Sequence, residues 1–142
     1  MEKGTFSAKR KKENKMYKEV CVIIVILILI FFVNNITENY TKECVQSMND
    51  KLYSLKECIL TKKNEETGRL IDEVLIDWKE KKEKLEYYIE HDELEKVETE
   101  LMSLKANIEI EEYEHGVPDI QKATFILNHI KEKFAFRIQN IF

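Results

Sequence analysis

Apolar residues run without a break from Val20 to Val33, and after Ile36 they recur mostly at intervals of three and four. The first pattern predicts a helix with no polar face. The second predicts helices with one apolar stripe each, because 3.6 residues per turn bring positions i, i+3, i+4 and i+7 to one side. Val45, Met48, Leu52, Leu55 and Ile59 form the first such seam. Ile71, Val74, Leu75, Trp78, Leu85, Tyr88 and Ile89 form the second, and Leu94, Val97, Leu101, Leu104 and Ile108 the third. The fourth holds Ile120, Ala123, Leu127, Ile130, Phe134, Ile138 and Ile141. Breaker-rich stretches at 62–68, 90–93 and 114–119 place helices over 38–63, 67–90, 93–113 and 118–139. Asp92 is expected to cap the third, with Glu95 three residues on. Gly116 is expected to stop that helix and Pro118 to open the fourth. No strand-like alternation of any length occurs, and no sequence repeat is evident, although the two helix pairs have similar lengths. The expected fold is all-α: an N-terminal transmembrane helix, then an antiparallel four-helix bundle or stacked helical hairpins, since short loops favour antiparallel neighbours.

The run Val20–Val33 spans only about 21 Å as a helix, against a hydrocarbon core of roughly 30 Å. Met16, Tyr17 and Ile36 extend it to about 31 Å, with Lys18 able to snorkel to the headgroups. Cleavage of an export signal needs small residues after the apolar core. Here "FFVNNITENYT" follows, which is bulky and polar, so the segment is expected to be retained. Val20, Ile23, Ile26, Leu29, Phe32 and Val33 are the expected membrane-spanning residues, with the lipid bilayer as partner.

Charge orients this anchor. The chain has a formal net charge of −4, yet residues 1–19 carry seven Lys/Arg against three Glu, a net of +4, which leaves −8 for the remainder. Cations on the near side of a span predict a cytoplasmic tail over 1–19, a transmembrane anchor over 20–36 and an extracytoplasmic helical domain over 37–142. An acidic main domain also argues against binding a phosphate backbone, so no nucleic acid is expected as a partner. The three cysteines show neither CxxC nor Cys/His ligand spacing, so no zinc or redox site is suggested. Cys44 and Cys58 fall on one uninterrupted seam. Fourteen residues of helix hold their Cα atoms about 21 Å apart, beyond the roughly 7 Å limit of a disulfide. Free thiols are expected.

Three stretches carry residues with chemical capacity. Glu112-x-x-His115 has the spacing of one half of a di-iron carboxylate site. The residues three before His91 and His129 are Tyr88 and Ile126, so no second half exists. His91, in "YYIEHDELE", sits where a cation stabilises a helix end; the functional alternative is proton sensing among its acidic neighbours. Trp78 stands among Lys79, Lys81, Lys82 and Lys84, a composition that suggests polyanion binding. Glu80, Glu83 and Glu86 interleave with them, which favours a solvated charged face with Trp78 packed inward. No phosphate loop, nucleophile elbow or HExxH occurs.

The pattern Trp78-x-x-Lys81-Lys82, Leu85, Ile89, His91, Glu93-Leu94, then Leu104-Lys105-Ala106 and His129-Ile130-x-Glu132, closes on Asn140-Ile141-Phe142. With the single N-terminal anchor, it resembles a bacterial membrane-anchored helical family, the domain of unknown function numbered forty-three sixty-three. The resemblance implies a helical, membrane-anchored architecture and transfers no catalytic residue. The expected role is therefore a protein-interaction or structural module at the cell envelope, with an unknown protein partner, no cofactor, no metal and no enzymatic activity. The alternative is a membrane-associated metal or pH sensor using the His/Glu-rich helix junctions at His91 and His115. Trp78 is the remaining candidate interaction residue.

Overall fold

The computed structural model describes residues 3–139, with side chains described for 16–135. It holds α1 (Lys3–Leu60), α2 (Asn64–Leu85), α3 (His91–Glu109) and α4 (Tyr113–Gln139), with no strand among the described residues. The chain divides into a unit ending at Thr37 and a unit from Glu38 onward.

The first unit is the early part of α1. From Val20 to Val33 its apolar side chains are about half exposed all round, from 47% at Val20 to 63% at Phe32. At its end the Thr37 hydroxyl donates to the carbonyls of Val33 and Asn34, each at 3.0 Å. Met16–Leu60 contains an 18-residue window of mean hydropathy 2.9, none of it buried. This is one helix long and apolar enough to cross a membrane.

The second unit is built on the seams read from the sequence. Val45, Met48, Leu52, Leu55 and Ile59 of α1 are all buried, as are Leu94, Val97, Leu101, Leu104 and Ile108 of α3. Ile71, Val74, Trp78 and Leu85 come in from α2, and Ile120, Ala123, Leu127 and Ile130 from α4. Each fully buried Leu, Ile or Val contributes about 1.5–3 kcal/mol of transfer free energy, so this interior is the main source of stability. Polar pairs mark the seams between helices. Lys51 reaches Asp77 Oδ2 at 2.9 Å between α1 and α2, and Lys105 reaches Asp72 at 3.1 Å between α3 and α2. Asn49 donates to Asn128 at 3.1 Å between α1 and α4. Between α3 and α4, Asp119 is buried and accepts from Ser103 and Asn107, each at 2.8 Å.

Helix ends differ from the sequence expectation in instructive ways. Glu90, not Asp92, is the residue before α3; its backbone is extended and no side chain caps the helix. Asp92 lies inside the first turn, where its charge still complements the helix dipole. α2 ends at Leu85, because Tyr88 and Ile89 turn back, both amides donating to the Leu85 carbonyl, and pack on the core. Gly116 does not end α3. It is buried within α4, where an added Cβ would come within 2.8 Å of Leu104 Cδ1. Its smallness is used for close helix packing, and Pro118 sits inside the helix. There it denies a donor only to the carbonyl of Glu114, an exposed residue that water can serve.

Both helix pairs close in the same way. After α1, Lys62 takes a left-handed backbone (φ 56°), with Lys62 N–H donating to Ile59 and Lys63 N–H to Cys58. After α3, Glu111 does the same (φ 62°), donating to Ile108, while Glu112 donates to Asn107. This is the Schellman cap, built twice without glycine. The correspondence extends through the unit at an offset of 49 residues. Leu60 and Glu109 end helices, Asn64 and Tyr113 begin them. Val45, Met48, Leu52, Leu55 and Ile59 map onto Leu94, Val97, Leu101, Leu104 and Ile108 without exception. Thr67, Ile71, Val74 and Trp78 map onto Gly116, Ile120, Ala123 and Leu127, also all buried. The second unit is thus a repeat in burial and capping, and partly in identity: Leu52-x-Ser54-Leu55-Lys56-x-x-Ile59 recurs as Leu101-x-Ser103-Leu104-Lys105-x-x-Ile108.

A left-handed backbone costs an L residue about 1–2 kcal/mol, while glycine adds about 0.5–1 kcal/mol of unfolded-state entropy. Lys62→Gly and Glu111→Gly are each expected to stabilise by about 0.5–1 kcal/mol. Urea unfolding followed by circular dichroism reads this directly; a lower midpoint in both variants would refute the capping account.

Candidate functional site

The surface with the clearest chemistry is the apolar face of α1. Val20, Ile23, Ile26, Leu29, Phe32 and Val33 are all exposed, and so are the residues between them. A helix satisfies its own backbone hydrogen bonds, so such a cylinder suits hydrocarbon, whereas in water a patch this large is strongly disfavoured.

A second region lies at the start of the second unit, where α1 meets α2 and its exit. Thr41 is buried and its hydroxyl is hydrogen-bonded to the Tyr88 hydroxyl at 3.2 Å. The Tyr88 ring packs on Phe134 with centroids 5.2 Å apart. Lys84 sits 5.8 Å from the centre of the Tyr40 ring, within cation–π range. Burial pushes the Tyr88 hydroxyl above its ordinary value, against the Thr41 hydrogen bond. Burial likewise raises the Cys44 thiol, and the hydrogen bond from Tyr40 only partly offsets it. Tyr40 is itself raised, by burial and then by that same hydrogen bond. Burial works to raise the Asp77 carboxyl, but hydrogen bonds from Lys81 and Lys51 overcome it and hold the group below the ordinary carboxylate range. These groups match one another's polarity inside the packing. Cys44 is buried in the core, and burial favours its neutral thiol.

The sequence-derived candidates are kept apart. Trp78 is buried in the core at 1% exposure, and its indole Nε1 has no hydrogen-bond partner. His91, the first residue of α3, lies 3.0 Å from Glu95 with its side chain 65% exposed. His115, near the start of α4, lies 4.0 Å from Glu112 and is 74% exposed. Glu112 precedes α4, so the Glu-x-x-His pair does not share one helix face. Cys44 and Cys58 are free and buried, on one helix.

The acidic junction around His91 brings together Glu90, Asp92 and Glu93, whose carboxylates each offer an oxygen within 4.8 Å of the others. They converge because the chain turns from α2 into α3 there. Lys133 of α4 reaches Glu90 at 3.1 Å and Glu93 at 3.4 Å, and Lys96 reaches Asp92 and Glu93 at 3.7 and 3.6 Å. Two ammonium groups thus already meet this cluster, and no histidine joins it.

A search of curated proteins and a search of solved structures each return no match to the chain. The family profile described as Domain of unknown function (DUF4363) matches residues 33–141, the end of the apolar run and nearly the whole helical unit. The chain belongs to that family.

Proposed function

We propose that the protein is a single-pass membrane protein whose basic N-terminus lies in the cytoplasm and whose second unit stands outside. There it serves as a protein-interaction or structural module of the cell envelope, not as an enzyme. One observation carries this reading: an apolar helix surface exposed on every side follows directly on seven cations and precedes a unit of net negative charge. Cations stay on the cytoplasmic side of a span.

In this reading the second unit is an antiparallel four-helix bundle. Support comes from pairs in which residue numbers fall on one helix as they rise on the next. Thr41 meets Tyr88 and Lys51 meets Asp77; Asp72 meets Lys105 and Lys82 meets Glu98; Glu93 meets Lys133 and Glu100 meets Lys122.

Topology is tested with a placed thiol. Cys44 and Cys58 are only 4% and 8% exposed, so a membrane-impermeant maleimide should label the native chain weakly. Tyr87→Cys, at a position 87% exposed, should be labelled in intact protoplasts. Labelling of that variant only after lysis would reverse the orientation.

A further inference from the structure

The two repeat-related connections, 61–63 and 110–112, border one open groove of about 590 Å³. Its apolar wall is formed by Ile59 and Leu60 at the end of α1 and by Tyr113 and Val117 at the start of α4. Leu60 is 59% exposed, whereas Tyr113 and Val117 are half-buried and rest on the core. The wall is therefore an apolar surface open to solvent and backed by the core.

Above it stand Glu111, Glu112 and Glu114. Carboxylates that lie between helices elsewhere in this unit, such as Asp72, Asp77, Glu98 and Glu100, each meet a lysine of another helix. The groove is different. Among the described residues, Glu111 and Glu114 form no ion pair, and Glu112 reaches only the exposed His115. Lys62 also lines the groove and forms no ion pair with any of them. Three carboxylates thus line the apolar wall, two of them without an ion pair, with Glu114 in the first turn of α4. Two repeat-equivalent positions also bear opposite charge here, Lys62 in one loop and Glu111 in the other. Both are held in a left-handed backbone that glycine would adopt at lower cost.

We propose that this groove docks a cationic peptide segment of a partner protein. Its Lys or Arg heads meet Glu111, Glu112 and Glu114, and an apolar side chain rests on Leu60, Tyr113 and Val117. The proposal rests on the interaction-module reading and names the partner's chemistry. A second copy meeting the groove through this same face would set its glutamates against these.

The test uses the full chain in zwitterionic lipid nanodiscs and a fluorescent peptide of alternating Lys and Leu, titrated at low salt by anisotropy. Because it needs no cell, its outcome is independent of the topology labelling, and failure here leaves that reading standing. Two exposed ion pairs are removed in the double variant Glu111→Gln/Glu114→Gln, whose Kd should rise roughly tenfold. Glu80→Gln/Glu83→Gln, an equal charge change on the exposed side of α2, should alter it less than about twofold. Equal weakening in both pairs would mean general attraction to an acidic domain and overturn the site. Self-association lost with the groove glutamates, in place of peptide binding, would overturn it too. Glu111→Gly adds a readout that a structural role does not move: the fold should become more stable while the peptide binds more weakly, and unchanged affinity in that variant would refute a docking role for Glu111.

Discussion

Trp78→Ala is expected to remove about 3–5 kcal/mol of stability. The ring is 1% exposed and stands in the α2 seam with Ile71, Val74 and Leu85, so its removal opens a cavity that rigid helices cannot collapse around. A domain of this size is stable by only about 5–15 kcal/mol in total, so the variant should stand near the edge of folding. Trp78→Phe separates two parts of the effect. It keeps most apolar contact and removes an indole N–H that has no acceptor. A buried unpaired donor costs about 1–3 kcal/mol, so the phenylalanine variant should lie within about 1.5 kcal/mol of the native protein. Urea unfolding of the full chain in micelles, followed at 222 nm, measures both. A loss below about 1 kcal/mol for the alanine variant would move Trp78 out of the core and restore it as a surface for partners.

The seams of α1 and α3 were readable because burial in a helix follows spacing alone, and both run in steps of three and four. That shared spacing also contained the 49-residue repeat. The repeat is faint because identity is confined to the short block 52–59 against 101–108, whereas Met48 answers to Val97 and Val45 to Leu94. Helix ends were less legible. Gly116 and Pro118 look like a stop and a start, but a helical glycine packed against Leu104 obeys a tertiary demand that no local signal carries. Tyr88 and Ile89 continue the apolar spacing of α2, yet they leave the helix to close over Phe134 and the core. Cross-helix pairs were out of reach for the same reason. Lys51 with Asp77, or Lys133 with Glu90 and Glu93, depend on which turn of one helix lies against which turn of another. The histidines stood out in the sequence through rarity, whereas the groove glutamates are hidden among 22 of their kind.

Ile26→Arg combined with Leu29→Arg is expected to release the chain from the bilayer. The stretch Val20–Val33 holds thirteen Val, Ile, Leu and Phe residues. At roughly −0.3 to −0.6 kcal/mol each, they favour insertion by about 4–8 kcal/mol. Arginine near the helix centre costs roughly 2.5–3.5 kcal/mol, so each substitution moves the balance by about 3–4 kcal/mol. Two of them cancel the whole driving force. Neither side chain has a partner to lose, since both native residues are about half exposed and lie outside the unit that holds the core. The second unit should therefore keep its helical signal and its urea midpoint in the released variant. Cell-free synthesis with liposomes, followed by flotation, gives the answer without interference from proteolysis. The native chain and an Ile26→Val/Leu29→Ile control should float with lipid, and the double-arginine chain should stay at the bottom of the gradient. If it floats as well, the apolar stretch is not the anchor, and membrane attachment must come from another surface of the chain.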